Sequence, residues 1–299
     1  AWVRRVAVVS WLSHGVYCPG GISDKDEDVI DDAACLQYRH NCGMERTNLF
    51  EILNVRGADA LPFLHSQFAA DLMALADGTL RWSALLNPQG RVLFVVAVIR
   101  TTVNDWSLLV PFQRGNELAD ILRRLVFRRK LRIEFDVDKC VVASATGLDT
   151  GIDGLHFAVV DRGATIVINI DAIDRFIAAG LVLIDETASG RHLAHSLRLE
   201  RFDAFSVKKG CYPGQEIIAR THFLGRNKRA LVRLQGGTET VWRSGDRLYG
   251  DGIDIGEIAC SGQTTALAVL NQVVPPGTSL RLGPDRPVVM VDEAIEATT

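Results

Sequence analysis

The sequence predicts an α+β body followed by a small all-β domain, either a barrel or a sandwich. Between Met44 and Arg229, stretches that alternate apolar and polar residues are interleaved with stretches whose apolar residues recur at helical spacing. After Arg229 the chain breaks into short strands separated by Gly, Pro and Asp turns. At 299 residues it also exceeds the usual size of one domain. The expected division is a body over 44–228, in two lobes meeting near 140–150, and a β-barrel over 229–299.

In chain order, "LFEILNVRG" alternates as a short strand closed by Gly57. In "ADALPFLHSQFAADLMAL", Leu61, Leu64, Phe68, Leu72 and Leu75 share one helical face, and Pro62 falls in an early turn where it is tolerated. "RWSALLNPQGRVLFVVAVI" predicts two strands around the turn Asn87-Pro88-Gln89-Gly90, and "DWSLLVP" a third. Leu118, Ile121, Leu122, Leu125 and Val126 form the apolar stripe of a second helix. "LRIEFDVDKCVVAS" alternates again, "LHFAVV" and "ATIVINI" predict two strands, and "DAIDRFIAAG" a short helix ended by Gly180.

Composition is that of a soluble globular protein: 47% hydrophobic, 23% charged, net charge −3. That balance argues against a nucleic-acid coat, so any basic surface is local. Cysteines 18, 35, 42, 140, 211 and 260 are scattered without a CxxC pair, which predicts reduced thiols in a cytoplasmic protein and no structural zinc site. No apolar run reaches the roughly 18 residues needed to span a bilayer, so no membrane association is expected. Residues 1–43 hold two arginines, a brief apolar stretch and the acidic run "DKDEDVIDD". They are expected to be a poorly ordered or non-native extension, with a cleaved targeting segment as the alternative.

The most informative stretch is "VKKGCYPGQEIIARTHFLGRNKR", Val207 to Arg229. Lys208 and Lys209 precede Cys211 and would favour its thiolate; Pro213-Gly214 suits the central positions of a type II turn; and a helix beginning near Gly214 would aim backbone N–H groups toward the sulfur. The alternative is a small buried hydrophobe in a turn. Glu216 either accepts hydrogen bonds from a ligand or pairs with Arg220 one turn on. Gln215 can donate and accept at once. Arg220, Arg226, Lys228 and Arg229 would suit ligand carboxylates or form a solvated loop.

Lys209-Gly210-Cys211-Tyr212-Pro213-Gly214-Gln215-Glu216 with Arg220 resembles the motif K-G-C-[F/Y]-x-G-Q-E-x3-R of the YgfZ family, relatives of the glycine-cleavage aminomethyltransferase. "FLHSQFAADL", "LLNPQGRVL" and "HFLGRNKR" extend the resemblance over about Met44 to Val291. It implies a ring of two α/β lobes and a C-terminal β-barrel around an opening that holds tetrahydrofolate. The implied role is assembly or repair of iron–sulfur clusters in client enzymes, including those that thiolate tRNA. The implied partners are those enzymes and the cluster-assembly machinery, with the chain acting as a monomer. By the same resemblance Cys211 is the reactive thiol, and Lys209, Gly210, Tyr212, Gly214, Gln215, Glu216, Arg220 and Arg229 surround the folate.

Aminomethyltransferases carry an acidic residue just after the corresponding Gly turn. Here Gly90 is followed by Arg91, Val92, Leu93, Phe94, Val95 and Val96, with no carboxylate before Asp105. An auxiliary, non-catalytic folate protein is therefore expected ahead of a one-carbon transferase or an interaction module whose cysteine only packs. Arg123, Arg124, Arg128, Arg129, Lys130 and Arg132 are expected to be a solvated helix face, with no direct nucleic-acid partner. His192, His195 and His222 are not expected to hold a metal.

Overall fold

The computed structural model describes residues 49–295 except 145, 163–170, 226–228, 238, 239, 273, 276, 277, 284, 285 and 291–294. The extension 1–43, the strand expected at "ATIVINI" and the cations Arg226 and Lys228 lie outside the described residues. All described residues fall within one compact unit, Arg46–Thr299.

The first lobe is an antiparallel sheet of β1 (Phe50–Arg56), β2 (Thr79–Leu86), β3 (Val92–Arg100), β4 (Asp105–Pro111) and β5 (Arg132–Phe135), in the order β2-β3-β4-β1-β5. Both faces are covered, which explains why β3 reads as a nearly unbroken apolar run. Phe94, Val96 and Val98 point to one face, where α1 (Ala60–Gln67) and α2 (Gly115–Val126) bring Phe63, Leu64, Leu118 and Leu122. Val95, Ala97 and Ile99 point to the other, toward the second lobe.

That second lobe has β6 (Lys139–Ser144), β7 (Leu148–Ile152) and β8 (Leu155–Asp161) in the order β6-β8-β7, with α3 (Asp171–Ala179). Phe50 and Trp82 from the first lobe meet Phe157 and Phe176 from the second, with ring centroids 5.2 to 6.3 Å apart. Tilted and edge-on pairs of this kind contribute about 0.5–1.5 kcal/mol each beyond their buried area. Arg114 fastens the same lobes. Its buried guanidinium lies 4.0 Å over the Phe94 ring, pairs with Glu117, and donates to the carbonyls of Leu93, Ile184 and Asp185.

The third part is a closed barrel of β9 (Ala230–Gln235), β10 (Arg247–Gly250), β11 (Ile253–Ser261), β12 (Thr265–Leu270), β13 (Leu280–Leu282) and β14 (Arg286–Met290). Ala230, Val232, Leu234, Ala266, Ala268 and Leu270 fill its interior. The alternate residues Leu231, Leu267 and Val269 face outward into the core shared by the two lobes. The all-β expectation after Arg229 thus resolves to a barrel.

One element differs from its expectation. The helix predicted to run through Leu75 stops at Gln67, because Phe68 turns extended and bridges to Leu85. Ala69 then donates to the carbonyl of Ala84 and accepts from Ser206. Leu72 and Leu75 are still buried, so the apolar spacing had marked burial, while pairing with β2 decided the backbone.

Candidate functional site

The stretch 206–215 is a loop closed on Ser206, and it leads into α4 (Gln215–Leu224). The Ser206 hydroxyl accepts from the backbone N–H groups of Lys208 (3.2 Å) and Lys209 (3.3 Å), and its carbonyl accepts from the Tyr212 hydroxyl at 2.8 Å. Gln215 donates its side-chain amide back to the Lys209 carbonyl at 3.2 Å. The expected type II turn is present: Gly214 sits at φ 77°, ψ 2°, and the Gln215 N–H reaches the Tyr212 carbonyl.

Lys209 has a different place from the one expected for a thiolate partner or ligand contact. Its side chain is buried, and its ammonium donates to the carbonyls of His65 (2.6 Å), Phe68 (2.6 Å) and Ala70 (2.7 Å). An ammonium has three donors, so none remains for a folate. These carbonyls come from the end of α1 and the extended segment after it, where a positive charge is favoured. Burial pulls the Lys209 pKa down to about 8, against which the three short carbonyl contacts favour the charged form. Tyr212 is likewise structural: it is buried, its hydroxyl is engaged, and burial pushes its pKa up to about 12. The motif lysine and tyrosine are the frame of the loop.

Cys211 and Gly210 stand exposed at the apex of that frame. Cys140 and Cys260 are buried, and burial raises the Cys260 thiol to about 12. Cys211 is thus the accessible thiol among the described cysteines, carried on an anchored loop. Glu216 and Arg220 are both exposed on α4, with no ion pair between them. Arg229 stands apart from the loop, in the wall of a cleft with Arg91, His192 and Glu257.

The hairpin turn before β3 supports the loop from below. The Asn87 side-chain oxygen accepts from the backbones of Gln89 (3.0 Å) and Arg91 (2.9 Å), fixing the turn. Gly90 then lies against Ile217 and Gly214. Two glycine turns far apart in sequence therefore touch. The strand that follows has no carboxylate, and Asp105, which opens β4, faces Arg56 at 3.7 Å. The acidic residue that aminomethyl transfer uses is therefore missing from this strand.

The histidines have structural surroundings. His192 and His195 are buried, and burial pulls both down to about 4. His195 stacks 4.7 Å from the Phe205 ring and 6.2 Å from His222. Among the described residues no cluster suited to a metal ion occurs. Arg129 lies over the Phe63 ring and Arg123 bonds the Ile133 carbonyl, so part of the basic group packs on its own lobe. No described helix is long and apolar enough to cross a membrane. Residue patterns did not single out Arg91, Arg191, Arg247 or Glu257, which converge from separate segments and carry no local motif.

No family model matches the chain. An uncharacterized protein of Haemophilus influenzae is 26% identical over 196 residues, covering 61% of this chain and 69% of that protein. The tRNA-modifying protein YgfZ of Klebsiella pneumoniae is 43% identical over 72 residues, which is 24% of this chain and only 22% of that protein. In three dimensions the chain matches the glycine cleavage system aminomethyltransferase T of Bartonella henselae with a TM-score of 0.57 and 15% identity, covering 83% of this chain and 84% of that one. Likeness at that identity is one of fold. The comparisons thus give this chain the aminomethyltransferase fold and a likeness to YgfZ over the matched 72 residues.

Proposed function

We propose that the chain is a folate-binding protein that supports assembly or repair of iron–sulfur clusters in client enzymes, including those that modify tRNA. The observation that carries the proposal is the exposed Cys211 thiol on a loop whose neighbours Lys209, Tyr212 and Gln215 are all spent on holding it. Such a thiol is suited to transient contact with a sulfur or metal centre on a partner. It acts in the cytoplasm, as a monomer, and tetrahydrofolate is its ligand. The missing carboxylate on β3 favours an auxiliary role over aminomethyl transfer. With Lys209, Tyr212 and the Gln215 amide assigned to the frame, the loop's contribution to folate falls to Gly210, Gly214, Glu216 and Arg220.

Two measurements test this. Calorimetric titration with tetrahydrofolate should show saturable binding, and absence of heat at high ligand concentration counts against it. In a strain lacking its own YgfZ protein, the wild-type chain should restore thiolated tRNA and cluster-enzyme activity, while Cys211→Ala should not. Full rescue by Cys211→Ala would leave the thiol with a packing role only.

A further inference from the structure

Four arginines converge on one cleft of about 460 Å³: Arg91 from the end of the β2–β3 turn, Arg191 from the loop before His192, Arg229 just before the barrel, and Arg247 on β10. The backbone fixes their approach. The His192 carbonyl accepts from Val92 at 2.9 Å, Gly190 donates to the Val92 carbonyl at 2.8 Å, and Arg91 bridges to Leu193. Glu257 is the one carboxylate in the wall, 3.0 Å from Arg191 and 3.6 Å from Arg247. Asp254 adds a second contact to Arg247 from the rim, at 3.6 Å. Among the described residues Glu257 and Asp254 pair with Arg191 and Arg247, while Arg91 has no ion pair, so its charge is left to the cleft.

The donors of Arg91 and Arg191 are not used up internally. A guanidinium carries five N–H groups. Arg191 spends its bonds on the Thr187 carbonyl and Glu257, and Arg91 donates to the Arg191 carbonyl. The wall also contains His192, only 1% exposed, whose Nε2 lies 3.5 Å from Glu257 and whose Nδ1 has no hydrogen-bond partner.

We infer that this cleft binds a small molecule carrying at least two negative groups, phosphates or carboxylates. The volume is in the range of small-molecule sites, roughly 300–1,000 Å³. Guanidinium groups suit both oxyanions because their paired N–H donors match two oxygens at once. This inference does not depend on folate binding or on Cys211.

The test is calorimetric titration of the full chain with inorganic pyrophosphate and, separately, with citrate. At least one should bind saturably at a single site, more weakly as salt is raised; the tighter of the two identifies phosphate or carboxylate chemistry. Arg247→Gln removes one guanidinium, and Asn271→Asp adds a carboxylate to the wall without removing a side-chain hydrogen bond. Each should weaken binding tenfold or more at an unchanged melting midpoint. Failure of both anions to bind, or binding that Asn271→Asp leaves intact, would overturn the inference.

Discussion

A Cβ atom placed on Gly214 would lie 2.8 Å from the Cα of Gly90 and 2.6 Å from the carbonyl oxygen of Asn87. Both glycines have positive φ, 77° and 71°. Gly214→Ala therefore meets backbone and a left-handed conformation together. It should destabilise the protein by about 2 kcal/mol or more. Urea denaturation checks this, with Gly210→Ala as a control of near-zero effect, since nothing stands within 4 Å of a Cβ there.

Lys209→Met should cost about 3 kcal/mol or more, because it leaves three carbonyls, two of them buried, without their cation. Lys208→Met, at an exposed position, should change stability by less than about 0.5 kcal/mol. Equal effects on the denaturation midpoint would show that the carbonyl cage is not what holds the loop.

Limited alkylation at neutral pH should label Cys211 well before Cys140 and Cys260, which are buried. Peptide mass mapping ranks them directly. Cys211→Ser should keep the melting midpoint of the wild type, since the side chain is exposed.

Acid should weaken the fold between about pH 6.5 and 4. His192 and His195 are held near 4 by burial, whereas unfolded histidines titrate near ~6.5. In that window the unfolded chain binds more protons than the native one, so stability falls as pH falls, by up to about 3 kcal/mol for each ring. Glu200, whose burial raises its pKa, works in the opposite sense and offsets part of the loss. Urea midpoints at pH 7 and 4.5 measure the difference, and His195→Phe should shrink it.

Much of the fold was legible because periodicity reports which face is buried. The alternation of β5, the unbroken apolar run of β3 and the helical stripe of α2 needed no long-range information. The end of α1 was not legible, since only pairing with Ala84 and capture by Lys209 stop that helix at Gln67. At the site, the Pro213-Gly214 turn and the helix after it follow from local chemistry. The burial of Lys209 does not: in sequence it stands beside the exposed Lys208, and its partners lie 139 to 144 residues away. The arginine cleft was invisible for the same reason.

The outward row of Leu231, Leu267 and Val269 has a consequence for how such chains can be recombined. The barrel closes on itself through its hydrogen bonds, so it looks like a cassette that could be cut at Arg229 and exchanged. It is instead a cassette with an adhesive side. A foreign barrel with a water-facing exterior would keep its own strands intact yet leave the floor of the two-lobed core open. A workable exchange must carry over the apolar stripe on β9 and β12 along with the barrel.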